Sequence, residues 1–199
     1  MTTLQYVEFA SVVFNVAYVV LAARKSIWCW PMGVLGSALG IWIFIQVQLY
    51  AEAVLFSYYV FMGLYGWWEW SRPAARLSSA SGREESIKVQ LWSSRKHILL
   101  CATGYALSFG VYLVLVRYTD AAMPMLDAFT TVFAFIATWL VAKRVLENWI
   151  YWIAIDCLSV YLYLARGLEQ YALLSLFLTA MAVYGYLQWR KETRYQAAV

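Results

Sequence analysis

The sequence predicts an all-α integral membrane protein with seven transmembrane helices. Its 199 residues are 64% hydrophobic and only 13% charged, whereas a soluble domain has about 45–50% apolar and about 25% charged residues. Long apolar segments recur between short charged ones, at the length of about 20 residues that a membrane crossing requires. An internal repeat further divides the helices into two parallel three-helix repeats joined by a linker helix, which is a 3+1+3 arrangement.

Seven apolar segments have the length and composition of membrane-spanning helices. They cover residues 5–23, 27–46, 49–69, 98–116, 126–142, 147–165 and 168–189. The first segment is too long, and too poor in preceding basic residues, to be a cleaved signal peptide. A transmembrane barrel would instead show alternating segments of about ten residues, and this pattern is not found in the sequence.

The basic residues predict the orientation of these helices. If the N-terminus lies outside and the C-terminus inside, Arg117 and Arg166 are the only two of the 15 lysines and arginines on the outer side. Because cytoplasmic loops carry an excess of lysine and arginine, we expect this orientation in the membrane. The net charge of +4 is then explained by topology and does not indicate nucleic-acid binding.

The internal repeat predicts the organisation of the chain. Residues 8–72 align without gaps with residues 127–191 at a constant offset of 119, which matches a charged turn and a Tyr-Gly-x3-Trp ending. A single additional helix must separate two parallel three-helix repeats, because the second would otherwise enter the membrane inverted. The predicted parts are a first repeat (5–72), a cytoplasmic connector (73–97), a linker helix (98–116), a second repeat (126–191) and a cytoplasmic tail (192–199). Parallel repeats are found in transporters, where substrate binds near the membrane midplane.

The sixth helix carries the strongest candidate for a substrate site. Asp156 lies near its centre, where an ionisable residue costs roughly 2.5–3.5 kcal/mol on insertion scales and marks a functional site by default. Trp149, Trp152 and Tyr163 share its helical face, and Ser37 is its counterpart in the first repeat. An aromatic wall beside a carboxylate suits a flat cationic ligand. A carboxylate hydrogen-bonded for structural reasons is the alternative.

Other candidate residues lie on the fifth and third helices. Asp127 begins the fifth helix, where it either contacts substrate or stabilises the helix start, and Thr131 follows on the same face. Tyr59 of the third helix is a candidate for lining the same space. We expect no metal or cofactor, because His97 is the only histidine and the three cysteines lack ligand spacing.

Two other classes of membrane protein are disfavoured. An enzyme would need a nucleophile with its base or a set of metal ligands, and neither is found in the sequence. A retinal protein would need a lysine midway along its last helix, and residues 168–189 contain none.

Three segments are characteristic of one family of transporters. The sequence IWCWPMG begins the second helix, LYGWWEW ends the third, and DAFTT continues into AKRVLENWIYWIAID and YLYLARGL. Together they resemble the PnuC family of vitamin transporters, which are related in architecture to SWEET sugar carriers. The resemblance implies the 3+1+3 fold and passive uptake of nicotinamide riboside, an NAD precursor, which phosphorylation by a cytoplasmic kinase then traps. It also implies a homotrimer and a location in the bacterial cytoplasmic (inner) membrane.

The resemblance leaves alternatives for the vitamin. Many nicotinamide riboside carriers of this family have an asparagine where this sequence has Asp156, and related members carry thiamine or riboflavin. Nicotinamide riboside and thiamine are both flat cations with hydroxyl groups, which a carboxylate suits, whereas neutral riboflavin gains less. The family favours nicotinamide riboside, with a thiamine or riboflavin carrier as the alternative.

Overall fold

The computed structural model describes residues 3–46, 50–72, 87–119, 123–165, 167 and 169–198. Within these ranges the chain forms seven α-helices and no sheet, which confirms the predicted all-α class. The helices are α1 (Thr3–Ala23), α2 (Cys29–Gln46), α3 (Tyr50–Ser71), α4 (Ser94–Tyr118), α5 (Pro124–Ala142), α6 (Asn148–Ala165) and α7 (Glu169–Ala198). Each predicted apolar segment coincides with one of them.

Two helices extend beyond the apolar segments that predicted them. α4 begins at Ser94, so its first turn lies within the predicted connector, and α7 continues to Ala198 through most of the predicted tail. Residues 73–86 of the connector lie outside the described part of the chain. Hydropathy detects only the part of a helix in the bilayer, and a polar continuation leaves no apolar signal.

Six of the helices are long and apolar enough to cross a membrane. Among the described residues, α3 is the helix that does not meet this criterion. It is rich in tyrosine, tryptophan and glycine, which lower its mean hydropathy although aromatic residues are typical of membrane interfaces.

The chain forms two compact units. The first comprises Met1–Lys88 together with Ala142–Arg144, and the second comprises Val89–Val141 and Val145–Val199. The first unit contains the first predicted repeat, and the second contains the linker helix α4 with nearly all of the second predicted repeat.

In the first unit, a buried tryptophan joins α2 to α3. The Trp30 ring meets Trp70 edge to face, with centroids 5.3 Å apart and planes at 88°. It also lies against Gly66, where an added Cβ would overlap the indole ring. A glycine is therefore required on α3 for this close approach.

The second unit contains the same packing between α6 and α7. Trp149 meets Trp189 edge to face at 5.5 Å and 88°, and a Cβ at Gly185 would lie 2.7 Å from the Trp149 ring. These three residues follow those of the first unit by 119 positions each.

The turns that precede α2 and α6 also have the same geometry. Lys25 and Arg144 have φ values of 60° and 59°, in the left-handed region that usually favours glycine. The next amide in each turn donates to a carbonyl five residues back, Ser26 to Leu21 at 2.9 Å and Val145 to Leu140 at 3.0 Å. This hydrogen bond is typical of a Schellman helix end.

Candidate substrate site

Asp156 is a buried carboxylate in the middle of α6. The residue is 7% exposed, and in the described part of the chain no group forms a hydrogen bond or ion pair with its carboxylate. Buried polar groups in proteins are nearly always paired, and a charged group inside a membrane is paired or faces a substrate pathway. An unpaired carboxylate at this depth is therefore a candidate for direct contact with a ligand.

The two tryptophans of the predicted aromatic wall have different surroundings. Trp149 is 3% exposed, because Gly185 and Trp189 cover its ring, while its indole N–H has no hydrogen-bond partner among the described residues. Trp152 is only partly buried and packs against the core cluster that contains Phe133 and Ile155. The ring of Trp152 is therefore more accessible than that of Trp149 for stacking with a ligand. Trp149 has only its indole N–H available for a hydrogen bond.

The rest of the α6 face is less enclosed. Tyr163 lies about two turns after Asp156 and is partly buried, as is Ser159 between them. Because α6 is continuous from Asn148 to Ala165, the helical spacing places these residues on the face of Asp156.

The predicted residues on α5 lie close to its start. Asp127 is the fourth residue of the helix, and its own N–H already donates to the carbonyl of Met123 at 3.0 Å. It is therefore not the N-cap residue, although its charge still suits the positive end of the helix dipole.

The threonines on α5 differ in their hydrogen bonding. The Thr130 hydroxyl donates to the Leu126 carbonyl at 2.9 Å, and that of Thr138 to Ala134 at 2.8 Å. Within the described ranges, the partly buried Thr131 hydroxyl makes no such bond. Of the three, Thr131 is the one whose hydroxyl is available to a ligand.

Tyr59 is the only predicted site residue in the first unit. Its ring lies 5.7 Å from Phe56 and 5.9 Å from Tyr58, so it belongs to an aromatic cluster on α3. The other six candidates are all in the second unit.

A polar cluster at the start of α4 was not predicted from the sequence. His97 Nδ1 lies 3.1 Å from the Tyr151 hydroxyl, and His97 Nε2 lies 3.7 Å from Glu147 Oε2. The Tyr151 hydroxyl also lies 3.5 Å from Cys101 Sγ. A spacing of four residues, which makes side chains neighbours on a helix, could have indicated this cluster. It separates His97 from Cys101 on α4 and Glu147 from Tyr151 at the start of α6.

One cavity of the second unit is lined by none of the predicted site residues. It has a volume of about 250 Å³ and an almost entirely apolar lining. The lining residues come from α4, α5 and α6 and are Tyr105, Ser108, Phe109, Met125, Leu126, Phe129 and Leu158. Among the described residues, no group of three or more His, Cys, Asp or Glu side chains is placed to hold a metal ion.

Comparison with known proteins identifies the family. A sequence profile described as "Nicotinamide mononucleotide transporter" matches residues 5–191. The chain belongs to this family. The resemblance to PnuC proteins is thereby confirmed, and the chain is a transporter of the vitamin class and not an enzyme.

Curated relatives have similar lengths but low identity. The nicotinamide riboside transporter PnuC of Escherichia coli (strain K12) is 23% identical, over 96% of this chain and 87% of the relative. The PnuC of Neisseria mucosa is 25% identical over 90% of this chain and 70% of the relative. The riboflavin/roseoflavin transporter RibM of Streptomyces davaonensis is 24% identical over 96% of this chain and 88% of the relative.

A solved structure has the same fold. The crystal structure of the vitamin B3 transporter PnuC superposes with a TM-score of 0.75, covering 94% of this chain and 81% of that one at 22% identity. With the apolar helices, these relatives support a multi-pass protein of the inner membrane.

Proposed function

We propose that this chain takes up nicotinamide riboside across the inner membrane by facilitated diffusion. Two relatives with this substrate in their names support the choice. The observation that carries it is the buried carboxylate of Asp156, which lacks a protein partner in the described structure. The pyridinium ring of nicotinamide riboside is a flat cation that can neutralise it.

The surrounding side chains suit the remaining parts of this substrate. The partly buried ring of Trp152 provides a face for the pyridinium through stacking and cation–π attraction. The Thr131 hydroxyl and the Asp127 carboxylate are proposed to bind ribose hydroxyl groups, and Tyr163 to line the path. The unpartnered N–H of Trp149 is a donor for a substrate oxygen.

We propose that the two units contain parallel three-helix repeats, with α4 as the linker. The tryptophan pairs supply the support, since Trp30–Trp70 and Trp149–Trp189 have nearly equal separations and the same angle. The positive φ values of Lys25 and Arg144 supply a second, independent match. Rocking of such repeats would alternate access to the substrate from each side.

Net uptake in one direction depends on a reaction that follows transport. A facilitated carrier only equalises the substrate concentration on the two sides, so phosphorylation by a cytoplasmic kinase would trap the product and sustain entry. We retain the predicted orientation, with the N-terminus outside and the C-terminus inside, and a homotrimer as parts of this proposal.

Calorimetry with purified protein tests the substrate. Nicotinamide riboside, thiamine and riboflavin are titrated into wild type, Asp156→Asn and Asp156→Ala, with Cys157→Ala as the control because Cys157 is the exposed neighbour of Asp156. We expect nicotinamide riboside to bind most tightly and Asp156→Ala to weaken it at least tenfold, with the control unchanged. Unchanged binding by Asp156→Ala would end the role proposed for this carboxylate.

A carrier for another vitamin is the second candidate. The match to RibM over 96% of the chain favours riboflavin, and the cationic ring of thiamine fits Asp156 equally well. Tight binding of thiamine that is lost in Asp156→Asn would make this residue the determinant of a thiamine site.

A further inference from the structure

The C-terminal end of α3 carries three cations around one carboxylate. Glu69 Oε2 lies 3.5 Å from Arg72 Nη1 and 3.8 Å from Lys143 Nζ, and Glu69 Oε1 lies 3.6 Å from Arg144 Nη2. All four residues belong to the first unit. We call this group the α3 cation cluster.

The charges of the α3 cation cluster do not balance within the described part of the chain. The carboxylate of Glu69 neutralises one of the three cations, and the described residues contribute no second acidic partner. The negative end of the α3 dipole amounts to about half an elementary charge. The end of α5 at Ala142 contributes a similar amount, so about one positive charge is uncompensated at this position.

Arg144 has one unused donor although it is buried. The residue is 5% exposed, and its Nη1 donates to the Glu69 carbonyl at 3.0 Å. Its Nε has no hydrogen-bond partner among the described residues. Burial lowers the pKa of Arg144, and the nearby charge of Glu69 opposes this effect. A buried guanidinium is stable only with good acceptors, and an anion would supply them.

Aromatic rings hold the outer cations at the edge of the cluster. Lys143 Nζ lies 5.1 Å from the centroid of the Tyr65 ring, and the Arg72 guanidinium lies 4.7 Å from that of Trp68. The side chains of Lys143 and Arg72 are 30% and 54% exposed, so both can reach a ligand from outside. Tyrosine and tryptophan are enriched at the level of lipid headgroups.

We propose that the α3 cation cluster binds the phosphate group of an anionic phospholipid. Basic pockets at the ends of transmembrane helices suit such headgroups, and arginine and lysine form charge-assisted hydrogen bonds with phosphate oxygens. With the predicted orientation this lipid belongs to the cytoplasmic leaflet. The site is independent of the transported vitamin.

Native mass spectrometry of the full-length protein in neutral detergent tests the site. Phosphatidylglycerol or phosphatidylcholine is titrated into wild type, Arg72→Gln, Lys143→Gln and the double variant. These two residues are chosen because their exposed side chains leave the buried Arg144–Glu69 contact in place. Lys191→Gln is the matched control, since Lys191 is an exposed cation on α7 at the position offset by 119 from Arg72.

We expect each cluster variant to bind phosphatidylglycerol about fivefold more weakly, which corresponds to about 1 kcal/mol per basic residue near an anionic surface. The control and the binding of phosphatidylcholine should not change. Wild-type affinity in the double variant, or an equal loss in Lys191→Gln, would overturn the proposal. Displacement of phosphatidylglycerol by millimolar inorganic phosphate would overturn the lipid as the source and assign the site to a soluble phosphate compound.

Discussion

Lys25 and Arg144 adopt the same left-handed backbone conformation, with φ values of 60° and 59°. They are the two residues other than glycine with positive φ in the described part of the chain, and they are separated by 119 positions. Each follows a helix whose last carbonyls are capped in the same way. A fixed turn of this kind determines the direction in which the next helix begins.

The Lys25 turn should discriminate between side chains of different shape. We expect Lys25→Val to be less stable than Lys25→Asn by about 1 kcal/mol, because a β-branched residue is strained in the left-handed region that asparagine tolerates. Both variants lose the same charge, so charge cancels in the comparison. Thermal unfolding in detergent measures the difference, and equal stabilities would show that the turn relaxes.

The glycine beside Trp149 should not tolerate a methyl group. In Gly185→Ala the new Cβ would lie 2.7 Å from the indole ring, and overpacking of this kind costs about 1–3 kcal/mol. Gly110→Ala is the control, because a Cβ there has no heavy atom within 4 Å. The melting temperature should fall in the first variant and remain equal or rise slightly in the second. A similar response in both would contradict the packing described for α6 and α7.

The two tryptophans of α6 should affect different properties. Trp152→Ala should weaken substrate binding about tenfold, since a cation–π contact contributes up to about 2 kcal/mol when desolvated. Trp149→Phe should lower the melting temperature, because the Trp149 ring fills the space against Gly185 and Trp189, and should weaken binding less than Trp152→Ala, because it removes only one N–H donor. Calorimetry and thermal unfolding on both variants separate these effects. A loss of stability without a loss of affinity in Trp152→Ala would remove it from the site.

The hydroxyl of Tyr151 should stabilise the contact between α4 and α6. Tyr151→Phe removes its hydrogen bond to His97 and its contact with Cys101, and we expect a loss of about 0.5–1.5 kcal/mol. Tyr161→Phe is the control, because Tyr161 lies on the same helix and is 61% exposed. If the two variants unfold at the same temperature, the cluster does not contribute to stability.

The helices could be predicted from the sequence because the bilayer requires long apolar segments. Their polar continuations could not, and for this reason α7 reaches Ala198 beyond the predicted end of its apolar segment. Helical spacing correctly placed Trp149 and Asp156 on one face of α6. It did not reveal that Gly185 of another helix covers the tryptophan while no described residue pairs with the carboxylate, because these facts depend on neighbours distant in sequence. The His97 cluster was missed for the same reason.

The contact between Trp149 and Gly185 limits how this protein can be redesigned. The Trp149 ring fills the space that a side chain at position 185 would need. A substitution at either residue therefore requires a compensating change at the other. No such packing constraint applies to Asp156 and Ser37. The two residues differ in type although they occupy corresponding positions 119 residues apart. A mutant library that seeks new vitamin specificity should therefore vary the face around Asp156 and leave each tryptophan with its glycine.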